Sequence, residues 1–287
     1  MKKAAIDIGS NTVQMLIGEV SNGSLKHDNS YLRTTRLGGN SDGVLTVAAI
    51  DDTVKVLKEY IAIAKRAGVK DIDIVATAAV REAVNRQEFL DIVSNVCCHK
   101  VEVIDGLREA ELSACGALGG NLAGIDDNVM VIDIGGGSTE LIYKNDNHIA
   151  AVSIKMGARR AAVNNWNEEE IFARISDSVG IGNRDWQAVG VGGTITTAAA
   201  LIKGLNEYSR AGIEGSLLHD DDVGLLLDRL IPLSIEQRCG FSPLLSERGE
   251  IIVEGLLILS SLMKILSLAT IKVGAGGLLE GVIWQSE

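Results

Sequence analysis

The stretch VMVIDIGGGSTELIY, Val129 to Tyr143, reads as two apolar strands joined by a turn of three glycines, a serine and a threonine. Asp133 closes the first strand and Glu140 opens the second. A tight hairpin needs only two linking residues, so this longer turn invites another explanation. Gly135, Gly136 and Gly137 let backbone N–H groups approach an anion with no Cβ in the way. Ser138 and Thr139 add hydroxyl donors, while Asp133 and Glu140 would repel a bare phosphate. A divalent cation between carboxylates and phosphate resolves that conflict, because Mg²⁺ favours one or two carboxylates together with phosphate oxygens. Taken alone, the stretch also suits a glycine-rich hairpin with no ligand.

A second copy shifts the balance. Ile6-Asp7-Ile8-Gly9 matches Ile132-Asp133-Ile134-Gly135, 126 residues earlier, and runs through Ser10, Asn11 and Thr12 into an apolar strand, Val13 to Val20. A repeat at that period means two similar domains and not a solenoid. Two turns of phosphate-binding type also explain each other, since facing domains would grip one phosphate chain from both sides.

Strands and helices alternate through the rest of the chain. Thr46 is a plausible N-cap for a helix with Val54, Leu57, Ile61 and Ala64 on one face, ending at Gly68. Strands are expected at Ile72–Ala76 and Val101–Ile104, with a helix from Thr77 carrying Arg81, Phe89 and Val93 between them. Leu107 to Leu118 reads as a helix whose alanines and glycines permit close packing. After the second copy come a strand at about Ile149–Lys155, a helix opened by Glu168, Glu169 and Glu170, and the strand Ala188–Val191. That strand runs into Gly192-Gly193-Thr194 and a helix. Asp220 to Asp222 begin another helix, and a long one from about Glu247 to Leu268 precedes the strand Thr270–Val273 and a last helix through Glu280 and Trp284. Such alternation predicts α/β sheets with glycine turns at strand C-termini, the usual ligand edge.

Composition narrows the classes. The 287 residues suit two domains, 46% are hydrophobic, and two prolines leave no Pro-rich linker. A net charge of −11 argues against a nucleic-acid partner, whose binding rests on Lys and Arg. Cysteines at 97, 98, 115 and 239 form neither a C-x-x-C pair nor a disulfide framework, which favours reduced thiols and the cytoplasm. Cys97-Cys98-His99 places adjacent side chains that rarely converge on one tetrahedral ion, so zinc is not expected. The N-terminus has no apolar run of signal length, and Ile251–Ile271 carries Glu254 and Lys264, so no membrane span is expected.

These residues together resemble the exopolyphosphatase/guanosine pentaphosphate phosphatase (Ppx/GppA) family. Ile6 to Thr12 looks like its first phosphate motif and Asp133 to Glu140 like its second. Ala76 to Ala83, Val103-Ile104-Asp105-Gly106, Glu109-Ala110 and Gly192-Gly193-Thr194 extend the resemblance in order over nearly the whole chain. It implies an α/β fold of two actin-like domains (sugar kinase/Hsp70/actin, ribonuclease H-like) around a central cleft. The first would cover 1–122 with the C-terminal helix 276–287 returning to it, and the second 123–275; they would meet near 120–128, with Gly106–Gly120 as the crossing element. Longer members carry an added helical region of HD type, which this chain is expected to lack.

The resemblance further implies a phosphohydrolase in which Glu109 activates water. Ser10, Asn11, Thr12, Arg81, Gly135, Gly136, Gly137, Ser138, Thr139, Gly192, Gly193 and Thr194 would bind phosphate. Asp133, Glu140 and Asp7 would hold Mg²⁺ or another divalent cation. Terminal phosphoryl transfer needs an in-line water, a base and cations against oxyanion charge, and this set supplies all three. Arg108 stands where the family has a glutamate, and Gly274 and Leu279 depart where a serine and an arginine are common. Inorganic polyphosphate is the leading substrate and guanosine pentaphosphate or tetraphosphate the next, because the few aromatics offer no obvious purine platform. Other classes are a non-catalytic phosphate or alarmone sensor, kept open by Arg108, and an ATP-binding actin-like protein. Oligomeric state is open, a homodimer included.

Overall fold

The computed structural model describes residues 2–21, 24–38, 43–120, 126, 128–145, 148–180 and 185–285. The chain divides into two compact units, Met1–Leu122 with Gly276–Glu287, and Ala123–Ala275. Most of the expected junction at 120–128 lies outside the described residues.

The first unit contains β1 (Lys2–Ile8), β2 (Thr12–Ser21), β3 (Ser24–Thr34), α1 (Val47–Arg66), β4 (Asp71–Ala76), α2 (Ala78–Arg81), α3 (Arg86–Cys97), β5 (Glu102–Val103) and α4 (Gly106–Ala117). Its sheet runs β3-β2-β1-β4-β5, with β1–β2–β3 antiparallel and β1–β4–β5 parallel. Period-two alternation sends Ala4, Ile6 and Ile8 into the core beneath α1 and α3, while Ala5 faces the opposite way, into a cluster with Leu112 of α4. Asp7 lies on the Ala5 face, and Gln14 stands directly opposite it on β2.

Local signals explain the helices. Thr46 caps α1 by accepting from Ala49 N at 3.2 Å, and Lys65 and Arg66 close it. The expected single helix through Arg81, Phe89 and Val93 is instead two, α2 and α3. Asn85 breaks it, because its side chain pairs with both Leu45 N (2.9 Å) and Leu45 O (3.0 Å). The polar strand β3, hidden in sequence by its lack of apolar alternation, forms the sheet edge.

In the second unit follow β6 (Val129–Ile134), β7 (Thr139–Asn145), β8 (His148–Ile154), α5 (Ala158–Val163), α6 (Glu168–Ser178), β9 (Gln187–Val191), α7 (Gly192–Ile202), α8 (Arg210–Ile213), β10 (Leu217–His219), α9 (Asp220–Leu230), α10 (Ile235–Phe241), α11 (Ile252–Ile265) and β11 (Thr270–Val273). The sheet order is β10-β11-β9-β6-β7-β8. Its β8-β7-β6-β9-β11 portion repeats β3-β2-β1-β4-β5 in order and direction. The expected helix from Glu247 starts only at Ile252. The chain before it turns tightly at Arg248–Ile251, with Gly249 pressed against Cys239 of α10.

α12 (Leu278–Gln285) belongs to the first unit and packs against α4. Two glycines permit it: a Cβ on Gly116 would overlap the Gly277 carbonyl, and one on Gly281 the Leu112 carbonyl.

Candidate active site

The repeated hairpins share one register. Ile8 pairs with Val13 across β1–β2, and Ile134 with Thr139 across β6–β7, so each turn has four residues, Gly9–Thr12 and Gly135–Ser138. Each is closed by the same bond at 3.0 Å: Gly9 N–H to Thr12 O, and Gly135 N–H to Ser138 O. Thr139 therefore belongs to the strand and not to the turn. Its hydroxyl is buried and donates to Met156 O, which commits its one proton away from any phosphate.

In the first unit Ser10, Asn11 and Thr12 are buried. The Ser10 carbonyl accepts from Gly38 N (2.9 Å), and the Asn11 carbonyl from Thr35 N (3.1 Å) and Arg36 N (3.0 Å). Asn11 Nδ2 is buried with no hydrogen-bond partner among the described residues. In the second unit Ser138 Oγ is likewise buried and unpartnered. Donors left this way cost about 1–3 kcal/mol each, so each turn is built to meet an acceptor.

Arg81 and Glu109 come together in the first unit. Thr77 N–H donates to Ile8 O at the end of the sheet, and one turn of helix then delivers Arg81. Asp105 caps α4 by accepting from Arg108 N at 2.8 Å, which sets Glu109 in its first turn. Arg81 Nη1 reaches Glu109 Oε2 at 2.8 Å and Ile104 O at 3.0 Å, with 19% and 11% of the two side chains exposed. Arg108 does not join them; it pairs with Glu111 at 3.5 Å on the exposed side of α4.

The carboxylates of the second unit also converge. Asp133 and Glu140 stand directly opposite across β6–β7, on one face of the sheet. Ser153 Oγ donates to Glu140 Oε1 at 2.9 Å and holds that buried side chain. Gly192 sits at φ +86°, and a Cβ there would lie 2.5 Å from Asp133 Oδ1, so only glycine leaves the carboxylate its place. Asp7 and Gln14 hold the equivalent pair of positions in the first unit, so Gln14 replaces the second carboxylate.

Among the described residues no group of three or more His, Cys, Asp or Glu side chains could form an all-protein metal cage. The Asp133–Glu140 pair nonetheless fits Mg²⁺, which takes one or two carboxylates and completes its shell with phosphate oxygens and water.

Gly192 and Gly193 open α7, whose N-terminus favours an anion. Thr194 does not point there; its hydroxyl packs against Gly255 of α11. The sequence reading missed Arg248. Its guanidinium covers Gly193, where a Cβ would collide with it, and desolvation pushes its pKa below the usual arginine range against the raising effect of Glu247 and Tyr208. The two residues lie 55 positions apart, so no local pattern announces the contact.

The model of the Ppx/GppA phosphatase family matches residues 17–287. The chain belongs to that family. It is 29% identical to Exopolyphosphatase 2 of Mycobacterium tuberculosis over 91% of this chain and 89% of that protein. A guanosine-5'-triphosphate,3'-diphosphate pyrophosphatase of Aeromonas hydrophila is 28% identical over 98% of this chain and 58% of its own length. The solved PPX-GPPA enzyme of Aquifex aeolicus superposes with a TM-score of 0.81 at 29% identity, covering 99% of both chains. As a Ppx/GppA protein the chain has the actin-like α/β fold and is a phosphoanhydride hydrolase.

Proposed function

We propose that the protein releases the terminal phosphate of inorganic polyphosphate. The observation that carries this is that each repeated turn holds a buried donor without a hydrogen-bond partner among the described residues, Asn11 Nδ2 at the third position of one and Ser138 Oγ at the fourth of the other. Each turn, within its own unit, is built to meet an anion oxygen. The M. tuberculosis relative named an exopolyphosphatase supports the same substrate.

In this reading Glu109 is the base. It takes a proton from water as the water oxygen bonds to the terminal phosphorus and the bridging P–O bond breaks. The products are inorganic phosphate and a chain one unit shorter, whose new terminal oxygen carries the departing electron pair. Arg81 holds Glu109 Oε2 and fixes the direction of the carboxylate. Backbone N–H groups of Gly136, Gly137 and Ser138, and the N-terminus of α7, stabilise phosphate oxygens as charge builds on them. Arg248 adds a cation beside α7. Asp133 and Glu140 would hold Mg²⁺, which would offset phosphoryl oxygen charge when bound.

Guanosine pentaphosphate is the second reading, favoured by the A. hydrophila relative. It ends in the same kind of anhydride. The four cysteines are free, which suits a reducing compartment, and we place the protein in the cytoplasm. No described helix is long and apolar enough to cross a membrane.

The test is phosphate release from polyphosphates of graded length, guanosine pentaphosphate and ATP, with Mg²⁺. Fastest turnover on polyphosphate is expected. Turnover on guanosine pentaphosphate alone would replace it with the second reading, and no release from any of them would overturn both.

A further inference from the structure

We propose that Arg160 is a positioning residue that holds the Gly137–Ser138 peptide with its N–H turned toward the phosphate. The proposal rests on the reading of the Gly135–Ser138 turn as a phosphate cradle. Three successive carbonyls of that turn are taken up by one short segment. Gly135 O accepts from Ala158 N at 3.0 Å, Gly136 O from Arg160 N at 2.9 Å, and Gly137 O from Arg160 Nε at 2.7 Å. Gly157 lets the segment approach this closely, since a Cβ there would lie 2.5 Å from the Gly136 carbonyl carbon.

The consequence is geometric. All described peptides are trans, and in a trans peptide the C=O and the following N–H point in opposite directions. Drawing three carbonyls to one side therefore turns the N–H groups of Gly136, Gly137 and Ser138 to the other. None of these three donates to a protein acceptor among the described residues. Successive N–H groups aimed one way form an anion-binding concavity.

The equivalent turn in the first unit shows what is special here. Its Ser10 and Asn11 carbonyls are held by the backbone N–H groups of Thr35, Arg36 and Gly38. Main chain does that work whatever the side chains. In the second unit the last peptide depends on a side chain, and on a charged one. A guanidinium hydrogen bond is charge-assisted and about twice as strong as a neutral one. It also polarises the peptide, making the Ser138 N–H a better donor on the far side. Arg160 would thus act on phosphate through the peptide without touching it.

The experiment uses the full chain with Arg160→Ala, Arg160→Gln and Arg160→Lys. It measures backbone amide chemical shifts of Gly137 and Ser138 without ligand, melting temperature, tripolyphosphate binding, and KM and kcat for polyphosphate. In Arg160→Ala the Gly137 and Ser138 amide signals should shift or broaden, and binding and KM should weaken about tenfold or more, a loss equivalent to about 1.4 kcal/mol. Arg160→Lys, which keeps a charged donor, should recover more than Arg160→Gln. Unchanged amide signals and binding in Arg160→Ala would overturn the proposal. So would equal effects of all three variants that merely follow melting temperature. Should Arg160→Ala fail to fold, the Gln and Lys variants decide by the same comparison. If the wild type neither binds nor cleaves polyphosphate, the functional reading fails, while the amide shifts still decide whether Arg160 orients the peptide.

Discussion

Arg81 Nη1 lies 2.8 Å from Glu109 Oε2, joining the end of α2 to the first turn of α4. The same nitrogen donates to Ile104 O, so one side chain ties the carboxylate to the loop that precedes its helix. Lysine supplies the charge without the rigid fork. Arg81→Lys should therefore leave the fold intact yet lower kcat, by up to about 10²-fold, because a displacement near 1 Å at a reacting group costs that much. Steady-state phosphate release with circular dichroism on the same samples checks it. Unaltered kcat would remove Arg81 from the positioning of Glu109.

Asp133 and Glu140 face each other across the β6–β7 ladder, and Ser153 supports one of them. Asp133→Ala and Glu140→Ala should each strongly lower phosphate release and weaken its dependence on Mg²⁺. Titration of Mg²⁺ by calorimetry in the presence of pyrophosphate should show the same loss apart from turnover. Full activity of the wild type in excess chelator would refute the metal assignment.

Gly281 on α12 touches the Leu112 carbonyl of α4. The obstacle is backbone and cannot rotate away, so Gly281→Ala must part the helices. Overpacking of this kind costs typically about 1–3 kcal/mol, which urea unfolding would detect. Gly224→Ala on α9, where no atom lies within 4 Å of the added methyl, is the control and should gain slightly from helix propensity.

Glu254 on α11 has a buried Oε2 with no hydrogen-bond partner among the described residues, and burial raises its pKa above the ordinary 4.5 despite its own backbone N–H and Arg238. A carboxyl with a raised folded pKa holds its proton longer in the folded state. It lowers stability as pH rises from about that ordinary value through the folded one, and the loss is complete above both. Glu254→Gln should thus be more stable than wild type at pH 7, with the advantage vanishing at pH 4. A constant difference across that range would mean that ionisation of Glu254 is not its cause.

The repeat was legible because both copies combine apolar alternation with glycine-rich turns, signals that are local in sequence. Glu109 was not legible that way. Only the family pattern distinguished it from an ordinary helix-start glutamate, and its bond to Arg81 joins residues 28 positions apart. The reach of the turn was overestimated by one residue, since nothing in Gly-Ser-Thr says that Thr139 already pairs with Ile134. Thr194 was assigned to phosphate by the family resemblance together with Gly192 and Gly193, and helix α7, which turns successive side chains by about 100°, packs its hydroxyl against Gly255. Nothing in the sequence announces the role of Arg160, because its partner, a glycine carbonyl, leaves no trace in the side-chain pattern.

Glu109→Gln separates an enzyme from a phosphate-binding sensor. Glutamine keeps the shape of the side chain and still accepts from Arg81, yet it cannot take a proton as a carboxylate does. Turnover should fall by about 10²–10⁴-fold, while phosphate affinity stays similar or rises as charge repulsion is relieved. A sensor has little turnover to lose, so its affinity alone would change. Arg108→Glu is the companion, since it restores the carboxylate that the family carries beside this position. Arg108 is 42% exposed and turned to Glu111, and an exposed pair is worth no more than about 1 kcal/mol. Arg108→Glu should therefore change turnover by less than about fivefold. A larger rise would mean that Arg108 acts on Glu109 from the surface of α4. Undiminished turnover in Glu109→Gln, measured on the best substrate, would remove Glu109 as the base whatever Arg108 does.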